Sequence, residues 1–248
     1  MKRLYALAVL SAVIITIIDS SLVIAQTQER TRYEITVTNL TRGQRFSPPF
    51  VVIHKPGVRL FTLGEQVSPQ FATLVEDASP GALGTVLATL PDVKEVITSA
   101  TPLVNALIDP GKSGTVTVET TADFNQMSLI SSLIPTNDAF IAVNGIVGPN
   151  GDAALSLFVP AYDAGSERND ELCASVFGPS LTECGGAGGG GHPGEGEGFV
   201  HIHNGIHGVG NLSAALRDWR NPVARILIRR LGAVGQVAAG QVAAGLDL

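Results

Sequence analysis

The 248-residue chain is 45% hydrophobic and 15% charged, with a formal charge of −6, a balance that supports one sizeable core and excludes an intrinsically disordered chain. An acidic chain without a basic stripe has no electrostatic footprint for phosphate backbones or anionic lipid surfaces, which excludes nucleic-acid binding. Its 28 glycines and 14 prolines, with many Val and Thr, favour a turn-rich β architecture over a helical bundle.

The chain opens MKRLYALAVLSAVIITIIDSSLVIAQ, with Lys2 and Arg3, an apolar run from Leu4 to Ile18, and the small-residue cleavage pattern Val23-Ile24-Ala25. Residues 1–25 therefore read as a secretory signal peptide. The alternative is an uncleaved membrane anchor, but the apolar run is shorter than the ~20 residues a spanning helix needs, and no membrane span is expected after cleavage. Cleavage removes Lys2, Arg3 and Asp19, a net +1, and leaves −7. The domain then covers 26–231, and 232–248, with its two QVAAG copies, reads as a low-complexity tail. The expected location is secreted, periplasmic or in the cell envelope.

YEITVTN (33–39) alternates as a half-buried strand, and FVVIH (50–54) reads as a second strand after the breaker SPP. Ser68-Pro69 is the N-cap and first turn of a helix whose buried face carries Val67, Phe71, Leu74 and Val75, ending by Ser79-Pro80-Gly81. Helical spacing returns over Leu83, Val86, Leu87 and Leu90, and Pro91-Asp92 opens a third helical pattern toward Val96. GTVTVETT, FNQMSLISSLI, AFIAVNGI and AALSLFVPAY follow as strands separated by turns such as Pro135-Thr-Asn. Strands in succession predict an all-β antiparallel sandwich with a short helical insertion. Cys173 and Cys184 are candidates for a disulfide in an exported chain, with a catalytic thiol as the alternative. The glycine run 185–198 reads as a mobile loop, FVHIHNGIHG as a short strand and turn, and NPVARILIRR as the last strand.

The stretch PAYDAGSERNDE (160–171) places Asp163, Glu167, Asp170 and Glu171 directly after an apolar run. Gly165 permits a tight turn that folds Asp163 and Glu167 toward one point. Asp138 sits at the start of another strand, after a proline turn. Three converging carboxylates repel one another unless a cation neutralises them, and oxygen-only ligands select calcium or magnesium. The alternative is that these acids are solvated turn residues. Asp170 and Glu171 are read as surface charge.

YEITVTNLTRGQRFSPPFVVIHKPGVRLFTLGEQVSPQFATLVEDAS, the turn PTNDAF, the loop YDAGSE and the closing NPVARILIRR together resemble the spondin domain over about residues 33–231. This is the module of the N-terminal half of F-spondin and of single-domain exported bacterial proteins. The resemblance implies a sandwich similar to calcium- and lipid-binding modules, with one calcium at an end. In animal members the ligands are an aspartate in a Ser-Pro-Asp turn and two acids of an Asp-Ala-Gly-Thr-Asp loop. The matching positions are Asp138, Asp163 and Glu167. The chain departs from that pattern in having Glu167 for the third aspartate and no aromatic directly after Asp138.

Period-2 alternation puts His201 and His203 on one strand face, with His207 just beyond and His192 in the glycine run. Three imidazoles suit zinc or copper; the alternative is that they hydrogen-bond within a polar sheet face. No HExxH, GxSxG elbow, P-loop or dinucleotide fingerprint accompanies them. Asn39-Leu-Thr41 and Asn211-Leu-Ser213 are glycosylation sequons. The expected function is a noncatalytic, exported calcium-binding module for cell adhesion or extracellular-matrix contact, its partner an unidentified cell-surface or matrix component. A metalloenzyme or transition-metal protein built on His201, His203 and His207 is the alternative.

Overall fold

The computed structural model describes residues 29–98, 107–192 and 194–234. The signal peptide read over 1–25 and residues 235–248 of the tail lie outside them. In chain order the elements are β1 (Arg30–Asn39), β2 (Arg45–Phe46), β3 (Phe50–His54), α1 (Pro69–Asp77), α2 (Gly81–Ala88), β4 (Val93–Ile97), β5 (Ser113–Thr121), β6 (Gln126–Ile134), β7 (Ala139–Val147), β8 (Leu155–Val159), β9 (Tyr162–Asp163), β10 (Pro179–Leu181), β11 (Gly186–Ala187), β12 (His201–Ile202), α3 (Ala214–Arg217) and β13 (Ala224–Val234).

One antiparallel sheet has the order β5-β1-β13-β8, a second runs β12-β9-β7-β6-β3-β4 with β2 also paired to β6, and β10 and β11 form a separate two-stranded sheet. Alternation in β1 turns Tyr33, Ile35 and Val37 inward, and alternation in β13 does the same for Ala224, Ile226 and Ile228. These meet Val51, Ile53, Leu129 and Ile141 of the second sheet in the larger core. The opposite face of that second sheet is covered by α1 and α2, where Phe50, Val52, Ile130 and Phe140 pack against Phe71, Leu74, Val75, Leu83 and Leu87. The chain is thus an all-β antiparallel sandwich with a short helical insertion. β3 reads as an unbroken apolar run because both its faces are buried, whereas β1 alternates because one of its faces meets solvent.

Ser68 caps α1, its Oγ accepting the Phe71 N–H at 3.2 Å, and left-handed Ala78 ends the helix before Pro80. Three departures from the sequence expectations have physical reasons. Residues 93–97 form strand β4 rather than a helix, because Val93, Val96 and Ile97 are β-branched and find an open edge on β3. Pro160, lacking an N–H, breaks AALSLFVPAY into β8 and β9, which belong to different sheets. β13 runs through Val234, so 232–234 join the sheet rather than the tail.

The glycine run is packed: Gly189 N–H donates to Cys173 O at 2.7 Å and Gly191 N–H to Asp77 Oδ1 at 2.7 Å. Cys173 and Cys184 form a disulfide that fastens this region. The Asn39 amide is fully buried and donates to Gln44 O and Ile108 O, which makes this sequon structural. Among the described residues no helix is long and apolar enough to cross a membrane.

Phe140 joins the second core to the strands of the site, with ring centroids 5.1 Å from Phe61, 5.2 Å from Phe71 and 5.5 Å from Tyr162. Phe140→Ala is expected to cost about 3–5 kcal/mol, read as a lower urea midpoint with an unchanged m-value.

Candidate metal centre

The site is set by strand register. Asp163 on β9 lies opposite Ala139 on β7 and opposite His201 on β12. Residues directly opposite in an antiparallel pair project to the same face, so the Asp163 carboxylate and the His201 ring emerge together. His203, two residues on, comes to the same carboxylate. His201 Nε2 lies 3.6 Å from Asp163 Oδ1, and His203 Nε2 lies 3.7 Å from Asp163 Oδ2. Glu197 adds Oε2 at 3.7 Å from His201 Nε2. Asp163, Glu197 and His201 each offer one ligand atom, and the three atoms lie within 4.8 Å of one another.

Two loops deliver these groups. Asp138, at the head of β7, fixes the first: its Oδ2 accepts the N–H of Ser166 at 2.8 Å, the N–H of Glu167 at 3.1 Å and the Ser166 hydroxyl at 3.2 Å. Gly165 turns this loop at φ +64°, and a Cβ there would meet Phe199 O at 2.3 Å. The second loop, 194–198, lies on the first through Gly194 N–H to Ser166 O at 3.0 Å and Gly198 N–H to Gly165 O at 2.8 Å. A Cβ at Gly196 would sit 2.4 Å from Gly165 O, so glycine at this position permits the approach that brings Glu197 in. Asn169 Nδ2 donates to Asp163 Oδ2 at 2.7 Å and reaches Glu197 Oε1 at 3.5 Å.

Several polar atoms here are buried and without a hydrogen-bond partner: Asp138 Oδ1, Asn169 Oδ1, His201 Nε2 and His203 Nε2. Burial and then the charge of Asp163 hold the Asp138 carboxyl well above the usual carboxylate range. Burial lowers the His203 imidazole against the opposing pull of Asp163. Anionic and acceptor groups are crowded at this end of the sheet.

The four acids of PAYDAGSERNDE separate. The Glu167 carboxylate turns from Asp163 to accept the His192 N–H at 2.7 Å, leaving its Oε2 buried and unpartnered. Burial, reinforced by the charges of Glu76 and Asp170, pushes Glu167 up to about 8. Asp170 accepts from Leu172 N at 2.9 Å, Ser175 Oγ at 2.8 Å and Asn137 Nδ2 at 3.1 Å, a turn clamp rather than free surface charge. Glu171 is likewise buried, accepting the N–H groups of His207, Gly208 and Val209 at 2.6, 2.7 and 2.9 Å. The rings of His207 and His192 are exposed and stand outside the ligand group. The sequence reading passed over Glu197 and Asn169. The Glu197–His201 spacing of four and the glycines flanking Glu197 are local signals in the sequence for it.

Calcium takes six to eight oxygen ligands. Asp138, Asp163 and Glu167 do not form a group of ligand atoms within reach of one ion, while an imidazole nitrogen enters the group that does form. Among the described residues, the group of side-chain ligand atoms is thus mixed oxygen and nitrogen, Asp163, Glu197 and His201, and not the expected Asp138, Asp163 and Glu167. No protein-family model matches the chain, and no curated protein matches it either.

Gly165→Ala is expected to cost ~2 kcal/mol or more, from left-handed strain and the clash with Phe199 O, read as a lower melting temperature. For Glu167, a folded pKa above the unfolded value means that its stabilising contribution is full below pH ~4.5 and is lost as pH rises through about 8. Glu167→Gln, which cannot ionise, should flatten the fall in urea midpoint across that window in chelator. Parallel profiles for the two proteins would contradict the assignment.

Proposed function

We propose that this chain is an exported, noncatalytic binding module of the spondin type, in which one divalent cation at Asp163 ties the loops at one end of the sandwich into a surface for a cell-surface or matrix partner. The observation that carries the reading is that Asp163, Glu197 and His201 each offer one ligand atom within 4.8 Å of one another, with His201 Nε2 buried and without a hydrogen-bond partner. An ion there binds only the folded arrangement and so stabilises it. The disulfide suits an oxidising compartment and supports export. Exposed Leu63, Phe199 and Ile202 lie along β12 and its neighbour segment, as apolar contacts for a partner. A Ser–His contact elsewhere, Ser128 Oγ to His54 Nε2 at 2.8 Å, is sealed in the sheet with both residues fully buried, which supports a noncatalytic reading.

Asp163→Ala tests this through thermal melts with divalent cation and with chelator. At a hundredfold excess over Kd, loss of the ion removes ~2.7 kcal/mol, roughly 5–10 °C for a domain of this size. The wild-type protein should lose that much on chelation and the variant little. Equal losses by mutation in both conditions would contradict the cation.

A further inference from the structure

Resting on the reading of this end as a cation site, we propose that its ion is a borderline divalent transition ion of the zinc class, held by Asp163 Oδ1, Glu197 Oε2 and His201 Nε2, and not calcium.

The hydrogen bonds of the two imidazoles assign their tautomers. His201 Nδ1 lies 3.0 Å from Ile202 O, and a carbonyl only accepts, so Nδ1 carries a proton and, in the neutral ring, Nε2 carries the lone pair. His203 is the reverse: Gly205 N–H donates to its Nδ1 at 2.9 Å, so the proton is on Nε2, which presents an N–H to Asp163. One imidazole is thus poised as a ligand and the other as a donor that positions the ligating carboxylate. The arrangement of His201, with the second nitrogen donating to a backbone carbonyl, is the usual support for a metal-bound imidazole.

In the neutral ring the His201 lone pair, its Nε2 buried, faces Asp163 Oδ1 at 3.6 Å and Glu197 Oε2 at 3.7 Å; Asp163 Oδ1 also accepts the Gly165 N–H at 2.8 Å. Three acceptors facing one another repel unless a cation lies between them. A shared proton would draw such atoms to about 2.7–2.9 Å. Two ligand atoms 2.0–2.2 Å from a tetrahedral ion stand roughly 3.3–3.6 Å apart, close to the two distances from His201 Nε2, and the third pair lies within 4.8 Å. Two carboxylates balance a dication, and a nitrogen donor with so few oxygens suits zinc rather than calcium. His203, with a side chain 3% exposed, is the buried donor beside this group, its Nε2 3.7 Å from Asp163 Oδ2. Three protein ligands leave a coordination position free.

The test is calorimetric titration of the full mature chain, stripped with chelator, using zinc chloride and, separately, calcium chloride. The expected result is one zinc per chain, with calcium at least 100-fold weaker. His201→Ala should weaken zinc at least 100-fold and Glu197→Gln about 10-fold or more, while His203→Gln should cost less than His201→Ala. Glu197→Gln lies on an exposed loop and reports even where His201→Ala fails to fold. Calcium binding that stabilises the chain and ignores His201→Ala and Glu197→Gln would overturn the ion class while leaving the cation-tied module intact. Zinc binding unaffected by either variant would overturn the ligand set. Binding of neither metal, with His201 an ordinary ion-pair partner of the two carboxylates, would overturn both the inference and the reading beneath it.

Discussion

One buried carboxylate oxygen holds the functional end of this molecule in place. Asp138 Oδ2 gathers two backbone N–H groups and a hydroxyl from residues 166 and 167, and so pins the loop after β9 against the head of β7. Everything at the site follows from that clamp. With the loop pinned, Gly165 can pass beneath Phe199, the glycine-rich 194–198 segment can lie along it, and β12 can pair with β9 in the register that sets His201 opposite Asp163. The result is a group of acceptors with few donors, which the proposed cation would balance.

The acids of PAYDAGSERNDE show how little composition says about role. Asp163 faces the imidazoles. Glu167 supports the glycine loop through His192. Asp170 clamps its own turn, and Glu171 gathers three successive amides of 207–209. These anchors join three loops into one end-cap, further fastened by the Cys173–Cys184 bond. A rigid end-cap of this kind would offer the proposed partner a fixed surface without ordering cost at the moment of binding.

The strands and helices that bury one clear face were readable from periodicity: β1, β3, β13, and α1 with its Ser68 cap all fall where hydrophobic spacing placed them. β4 was missed because a short segment with a proline-aspartate entry resembles a helix start, and only the free edge of β3 decides its conformation. The site was half readable. Asp163 and the shared face of His201 and His203 follow from local pattern, but the two groups were read as separate centres, since only the β9–β12 pairing joins them. Glu197 was passed over because its place depends on glycine contacts with a loop about thirty residues earlier in the chain. Glu171 looked like surface charge because its amide partners lie 36 to 38 residues away.

The most direct test of a cation joining β9 to β12 is anomalous diffraction at the zinc edge from crystals of the mature chain grown with zinc. The account predicts a single strong peak enclosed by Asp163, Glu197 and His201. A map without density at that point, with the His201 ring drawn into direct hydrogen bonds with the two carboxylates, would contradict it.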